Sequence, residues 1–214
     1  TVVLGSVRLF SGGTRVTTSN VVMHPQWNPN SASSDVAVIT MNHVNFNNNI
    51  QPIPLASGSN NYVGTWAVAA GYGVTSDSQG GISQNAVQMQ VNLRIISNDE
   101  CRRTFGWIIV DSTICVNTQG GTSTCGGDSG GPLAVGSGNA RTLVRYISTC
   151  EKRYTLFIND KPELYQYDVN LNLIKELRLK SSIMGRQHFD KIKFFIKIEV
   201  SSKYRRNTQK YKIY

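Results

Sequence analysis

Apolar and polar positions alternate in short runs along the first two thirds of the chain, and these runs are rich in β-branched residues. Val2 to Leu9, Val36 to Thr40, Thr65 to Ala70, Val87 to Ile96 and Ile108 to Val116 carry the pattern, which predicts strands with at least one face toward a core. Turn formers divide them: Ser11-Gly12-Gly13, Asn28-Pro29-Asn30, Ser57-Gly58-Ser59 and Gly80-Gly81. Many short strands separated by Gly- and Asn-rich turns predict a sandwich or barrel and argue against alternating βα units. One short helix is predicted after Ser97, where Ser97-Asn98-Asp99-Glu100 forms a capping box ahead of Cys101. The stretch QPIPLAS at 51–57 holds two prolines, which resist ladder pairing, and reads as a linker between two units.

Composition changes this picture in one place. Hydrophobic residues make up 40 % of the 214 and charged residues 16 %, which excludes wholesale disorder. No apolar run approaches the roughly 18 residues of a membrane span. TVVLGSVRLF at the start carries no basic segment before an apolar one, so no signal peptide is read there. The net charge of +9 suggests an anionic partner until it is located. Residues 1–144 contain six Arg, no Lys and six acids and balance to zero, whereas 145–214 contain sixteen basic residues against seven acidic ones. Eighteen of the nineteen Gly precede residue 145 and seven of the nine Tyr follow it. A break of this kind separates two segments of different character. In the second, Leu171 to Leu179 has helix-like spacing and Phe189 to Val200 mixes strand-like alternation with basic residues. A membrane-surface or anion-binding extension is one reading of 145–214. The plainer one is sequence foreign to the rest, without a nucleic-acid motif.

The sharpest local feature is Cys125-Gly126-Gly127-Asp128-Ser129-Gly130-Gly131-Pro132. A Ser among glycines and beside a carboxylate suggests a nucleophile on a tight turn whose N–H groups face a reacting carbonyl. Here the chain resembles the trypsin/chymotrypsin family of serine proteases, whose nucleophile motif is GDSGGP. Ser34-Asp35-Val36-Ala37-Val38-Ile39 is similar to the surroundings of that family's triad Asp, and Ala69-Ala70-Gly71-Tyr72-Gly73 to its interdomain turn. Asn98-Asp99-Glu100-Cys101 and Ile114-Cys115-Val116 match the flanks of a family disulfide. The matches run in family order to about Val144, and the wording of the strands is similar to that of insect digestive chymotrypsins.

The resemblance implies an all-β fold of two antiparallel β-barrels, chymotrypsin-like and both incomplete. Residues 1–55 would be the latter part of the first barrel, 56–144 most of the second, and 145–214 a tail outside the family's coding sequence. It implies a serine endopeptidase acting through an acyl-enzyme. Ser129 would be the nucleophile and Asp35 the carboxylate that orients a histidine, with the N–H groups of Gly127 and Ser129 forming the oxyanion hole. Asp128 would be the activation carboxylate that pairs with a new N-terminal ammonium. Ser123, six positions before the nucleophile, would floor the specificity pocket. A small neutral residue there leaves an apolar slot for large side chains. Cys101 and Cys115 would form a disulfide, and Cys125 would pair with a later Cys, for which Cys150 is the available candidate. Polypeptide substrates and protein inhibitors are the implied partners, with a monomer, an extracellular location, no nucleic acid, no membrane, and neither cofactor nor metal.

The catalytic His of the family is the missing element. His24 sits in a segment similar to a family surface loop, His43 follows the Asp strand, and His188 lies in the tail. None is expected to serve as the base, so the polypeptide is expected to hydrolyse nothing, and open barrel edges should make it aggregate or lack fixed packing. Two other readings are a non-catalytic protease homologue acting as a binding module and an α/β-hydrolase built on Gly127-Asp128-Ser129-Gly130-Gly131 with Asp168 and His188. Gly130, Gly131 and Pro132 oppose the helix that the latter needs directly after Ser129.

Overall fold

The computed structural model describes residues 1–28, 34–76, 78–118 and 120–147 in full. It adds the strand segments 148–151, 154–158, 165–167, 173–176 and 191–196 as backbone. In chain order, β1 (Val2–Leu4) and β2 (Thr14–Val16) make an antiparallel ribbon. β3 (Val21–Met23) pairs with β4 (Ala37–Asn42). Next come β5 (Trp66–Gly71), β6 (Met89–Ile96), the helix α1 (Asn98–Phe105) and β7 (Thr113–Asn117). β8 (Pro132–Val135), β9 (Thr142–Glu151) and β10 (Tyr154–Ile158) follow. β11 (Tyr165–Tyr167) pairs with β12 (Leu173–Glu176), and β13 (Lys191–Ile196) pairs antiparallel with β4.

Six of these strands close a barrel in the order β10-β7-β6-β5-β8-β9. On β5 and β6 the period-two pattern of the sequence explains its interior, and on β9 shifts of register bring further residues inward. Ala67 and Ala69 of β5, Leu93 and Ile95 of β6, and Val144 and Ile147 of β9 point into one buried cluster. Each large aliphatic side chain buried this way contributes about 1.5–3 kcal/mol. A second cluster joins Ile96, Ile109 and the Cys101–Cys115 disulfide, which pins α1 against β7. The helix starts as its capping box predicts: the Ser97 hydroxyl accepts the Glu100 N–H at 3.1 Å.

The closure corrects the expectation of two incomplete barrels. The strand that completes the second one crosses the composition break, because Leu143, Val144 and Ile147 are buried on either side of Arg145. Arg145 itself is half-buried and donates from Nε to the Ser112 carbonyl at 3.3 Å. Burial pushes its pKa down, with Tyr62 acting in the other direction. The predicted helix-like spacing at 171–179 meets a strand instead over Leu173–Glu176, while Cys150 and His188 lie outside the residues whose side chains are described.

The first unit is built differently. Among the described residues, 1–55 supply the β1–β2 ribbon and strands β3 and β4, joined to β13, and no closed barrel. The predicted run Val2 to Leu9 stops as a strand at Leu4. Val7 and Leu9 instead bond to the approach to β6, with Gln88 N–H donating to Val7 O at 2.7 Å and Leu9 N–H to Ala86 O at 3.1 Å. Likewise the run from Ile108 begins as a 3-10 turn and becomes a strand only at Thr113. Among the described residues no helix is long and apolar enough to cross a membrane.

Candidate active site

The turn carrying Ser129 is held from both sides by backbone. Asp128 N–H donates to Cys125 O at 3.0 Å and Gly131 N–H to Asp128 O at 2.8 Å. Gly130 N–H donates to Ile147 O at 2.8 Å, and Ile147 N–H returns a bond to Gly131 O at 2.8 Å. The loop is therefore suspended between β8 and β9, and it exists in this form only because the barrel closes past residue 144. Gly127 has φ of +98°, and a Cβ there would lie 2.8 Å from Ile82 Cδ1. Conformation and space both demand glycine at this position.

The Asp128 carboxylate turns inward. Its Oδ1 accepts the Gly73 N–H at 2.8 Å and its Oδ2 the Cys125 N–H at 2.9 Å. A Cβ on Gly73 would stand 2.6 Å from the carboxylate carbon, which explains the glycine in Gly71-Tyr72-Gly73. Tyr72 between them anchors the turn to the first unit by donating its hydroxyl to Ser6 O at 2.8 Å. Burial pushes this phenol's pKa up, partly offset by Arg15. A cleft of ≈ 930 Å³ opens beside the carboxylate. Thr118, Ser123 and Cys125 line it, together with apolar walls from Val74, Met89 and Val91. The Ser123 hydroxyl donates to Thr124 O, and Cys125 is a free thiol.

Asp35 occupies a different place. It precedes β4 and lines a small pocket with Met23, Trp27 and Val36. Its backbone is a tight turn in which Val36 N–H donates to Ser34 O at 2.9 Å, with Ser34 at φ of +55°. The Trp27 indole N–H donates to Asp35 Oδ1 at 3.1 Å. The nearby His24 accepts the Gln26 N–H on Nδ1 at 3.1 Å. His43 is exposed, its ring 6.3 Å from that of Phe46.

The structure thus gathers Ser123, Cys125 and Asp128 around one cleft, with Gly127 and Ser129 on the adjoining turn, and sets Asp35 in a pocket of its own. Sequence reasoning missed Trp27 as a partner of Asp35, the Gly73 N–H as a donor to Asp128, and Thr118 as a cleft residue. Only Gly73 had left a signal, through its place in a turn motif.

A closed antiparallel barrel bearing a Gly-Asp-Ser-Gly-Gly turn, its carboxylate half-buried and held by backbone N–H groups, is the architecture of a chymotrypsin-like serine protease. The trypsin family model matches residues 1–161, and the chain belongs to that family. It is 39 % identical over 127 residues to Serine protease 1 of Drosophila melanogaster, covering 58 % of this chain and 46 % of the relative. To the collagenase of Hypoderma lineatum it is 38 % identical over 142 residues, 64 % of this chain and 52 % of the relative. A solved structure of HL collagenase superposes with a TM-score of 0.63 at 31 % identity, covering 72 % of this chain and 67 % of that one. The chain spans about half the length of the curated relatives it matches. The disulfide expected from the resemblance, Cys101–Cys115, is formed with a Cα–Cα distance of 6.3 Å.

Proposed function

We propose that the whole protein is a secreted serine endopeptidase that cleaves polypeptides through an acyl-enzyme at Ser129. The observation that carries this reading is the Ser129 turn, pinned to β9 on one side and to the cradled Asp128 on the other, in a chain of the trypsin family. A hydroxyl fixed in a rigid turn starts close to its attack geometry, so little orientational entropy is lost on reaction. The N–H groups of Gly127 and Ser129 would stabilise the oxyanion, and the absence of a side chain at 127 supports that assignment by leaving the carbonyl room. Asp35 would orient the imidazole and stabilise its charged form, with Trp27 holding the carboxylate in place. Ser123, neutral and small, favours large apolar side chains before the scissile bond. Asp128 would take the ammonium of a new amino terminus, since its two backbone donors leave carboxylate lone pairs open toward the cleft.

The base would come from outside the three histidines of these 214 residues. His24 already accepts the Gln26 N–H on Nδ1, and His43 is exposed. Loss of a base or nucleophile from a related triad costs about 2 × 10⁶ in kcat, or about 8–9 kcal/mol of barrier. The expected result is that the protein from the complete message hydrolyses a peptide with Phe before the scissile bond faster than one with Lys. Ser129→Ala should lower that rate at least about 10⁵-fold, and the 214-residue polypeptide alone should give no rate. A Ser129→Ala protein of undiminished activity overturns the nucleophile, and an active 214-residue polypeptide overturns the external base. An inert complete protein with Ser129 intact means a binding homologue.

A further inference from the structure

The two neighbours of β4 differ in origin. β3 pairs with it on one side, and on the other β13 pairs along its whole length, from Lys191↔Asn42 to Ile196↔Ala37. The family match ends at residue 161, so β13 lies outside it. The register is the one that the alternation of both strands selects. Ile192, Phe194 and Ile196 stand opposite Met41, Ile39 and Ala37, the three buried residues of β4. Lys191 and Lys193 fall opposite Asn42 and Thr40. A slip of one position would set Lys193 against Ile39 or Met41, so the pattern specifies the pairing. The main chain of β4 is divided in the same way. Thr40 N–H donates to Asn20 O and His24 N–H to Val36 O, both on the β3 side. Neighbouring residues of a strand turn their peptide groups to opposite edges, so those of Ala37, Ile39 and Met41 face β13.

We propose that this edge of β4 is a strand-acceptor site, that residues 191–196 are its tethered ligand, and that a second copy of the chain supplies the same strand in exchange. An open strand edge presents a row of N–H and C=O groups that recruits a segment of matching pattern. Here the chain carries that segment itself, joined to β10 through residues 159–190. Closure of such a long connection adds little cost as its length grows. The ladder made with a neighbour's strand is the same as the one made within the chain. The two differ only by the effective concentration that the connection provides, of the order of mM. Exchange therefore yields a dimer at high protein concentration, each β4 completed by the other copy's strand. Because β4 starts two positions after Asp35, whichever strand fills the edge also braces the segment that carries this carboxylate.

The test reads amide hydrogen exchange on the full chain. Phe194 stands opposite Ile39, so Phe194→Pro removes a ladder N–H, whereas Phe195→Pro removes one that faces away from β4. Phe194→Pro should speed exchange at Ile39 and Met41 at least about fivefold, the worth of one ladder bond. Val38 and Thr40, which face β3, should keep their rates, as should Ile95 and Leu133 in the barrel. Phe195→Pro should do less at Ile39 and Met41. Adding the synthetic peptide Lys-Ile-Lys-Phe-Phe-Ile to the Phe194→Pro chain should restore slow exchange there, and a peptide ordered Lys-Lys-Ile-Ile-Phe-Phe should not. Light scattering should show the parent chain passing from monomer toward dimer as its concentration approaches about 1 mM, with fewer dimers of Phe194→Pro. Equal effects of the two prolines, no acceleration, or acceleration that spreads into the barrel overturns the acceptor edge. A peptide that restores nothing, a parent chain still monomeric at about 1 mM, or undiminished dimers of Phe194→Pro overturns the exchange with a second copy.

Discussion

The two units of this molecule share a vocabulary of short β-branched strands, yet they are different physical objects. In the second unit six strands close on themselves, and Leu133 on β8 is 0 % exposed. A disulfide and a capped helix fasten its outer wall. The first unit has equally good alternation in β4, where Ala37, Ile39 and Met41 are buried. Its ribbon and its sheet remain separate among the described residues, and Phe10 stays 49 % exposed. Alternation makes a face, and only closure or a second layer turns a face into a core. The chemistry is divided accordingly. Ser129 and Asp128 hang from the closed unit, while Asp35 belongs to the open one, where the Trp27 indole holds it.

The sharpest test of this contrast is the same kind of truncation made in both units. Leu133→Ala should lower the stability of the main unfolding transition by about 2–5 kcal/mol. Ile39→Ala, at a site that is 1 % exposed, should move that transition by less than about 1 kcal/mol, because an open sheet yields locally before the barrel does. Chemical denaturation followed by barrel and β4 probes separately would read both, and equal shifts would dissolve the distinction. Reducing the Cys101–Cys115 bridge comes next. It closes a 14-residue separation and should cost the barrel about 3 kcal/mol, visible as a lower denaturation midpoint. Amide exchange in β1 and β2 should not respond.

The smallest effect is alkaline. Burial raises the pKa of Tyr146 on β9 above its ordinary 10.0. A folded-state pKa above the unfolded one means that the folded protein binds the proton more tightly. The stabilisation is fully present below pH 10 and is lost as pH rises through the folded value. The slope is at most about 1.4 kcal/mol per pH unit for one such group. Urea midpoints at pH 9 and 11 should therefore diverge, and Tyr146→Phe should shrink the divergence.

Much of the closed unit was legible in the sequence. The capping box at Ser97 named both the helix start and its donor, because capping is a local contact spanning three residues. Strands β4, β5 and β6 followed from period-two alternation. Cys101 and Cys115 came from family likeness, since four cysteines alone leave three connectivities open. What escaped were contacts without a local signature. Gly73 reaches Asp128 across 55 positions, and Trp27 meets Asp35 through a loop with no period. The end of the barrel was misread for a different reason. Charge and tyrosine content change at 145, but β9 needs only Leu143, Val144 and Ile147 to face inward, and those residues sit within the change unaltered in character.

The proline segment at 51–57 connects the units, and it is not a slack tether. Leu143 N–H donates to Pro54 O and Ala56 N–H to Leu143 O, each at 2.9 Å, with Leu55 bridged alongside. A joint whose amides are left to water can swing without breaking anything. This one must surrender two barrel-rim bonds before it moves, so a displacement of either half is transmitted to the first residues of β9. That strand then carries the disturbance four positions further, from Leu143 to the Ile147 carbonyl on which the Ser129 turn rests.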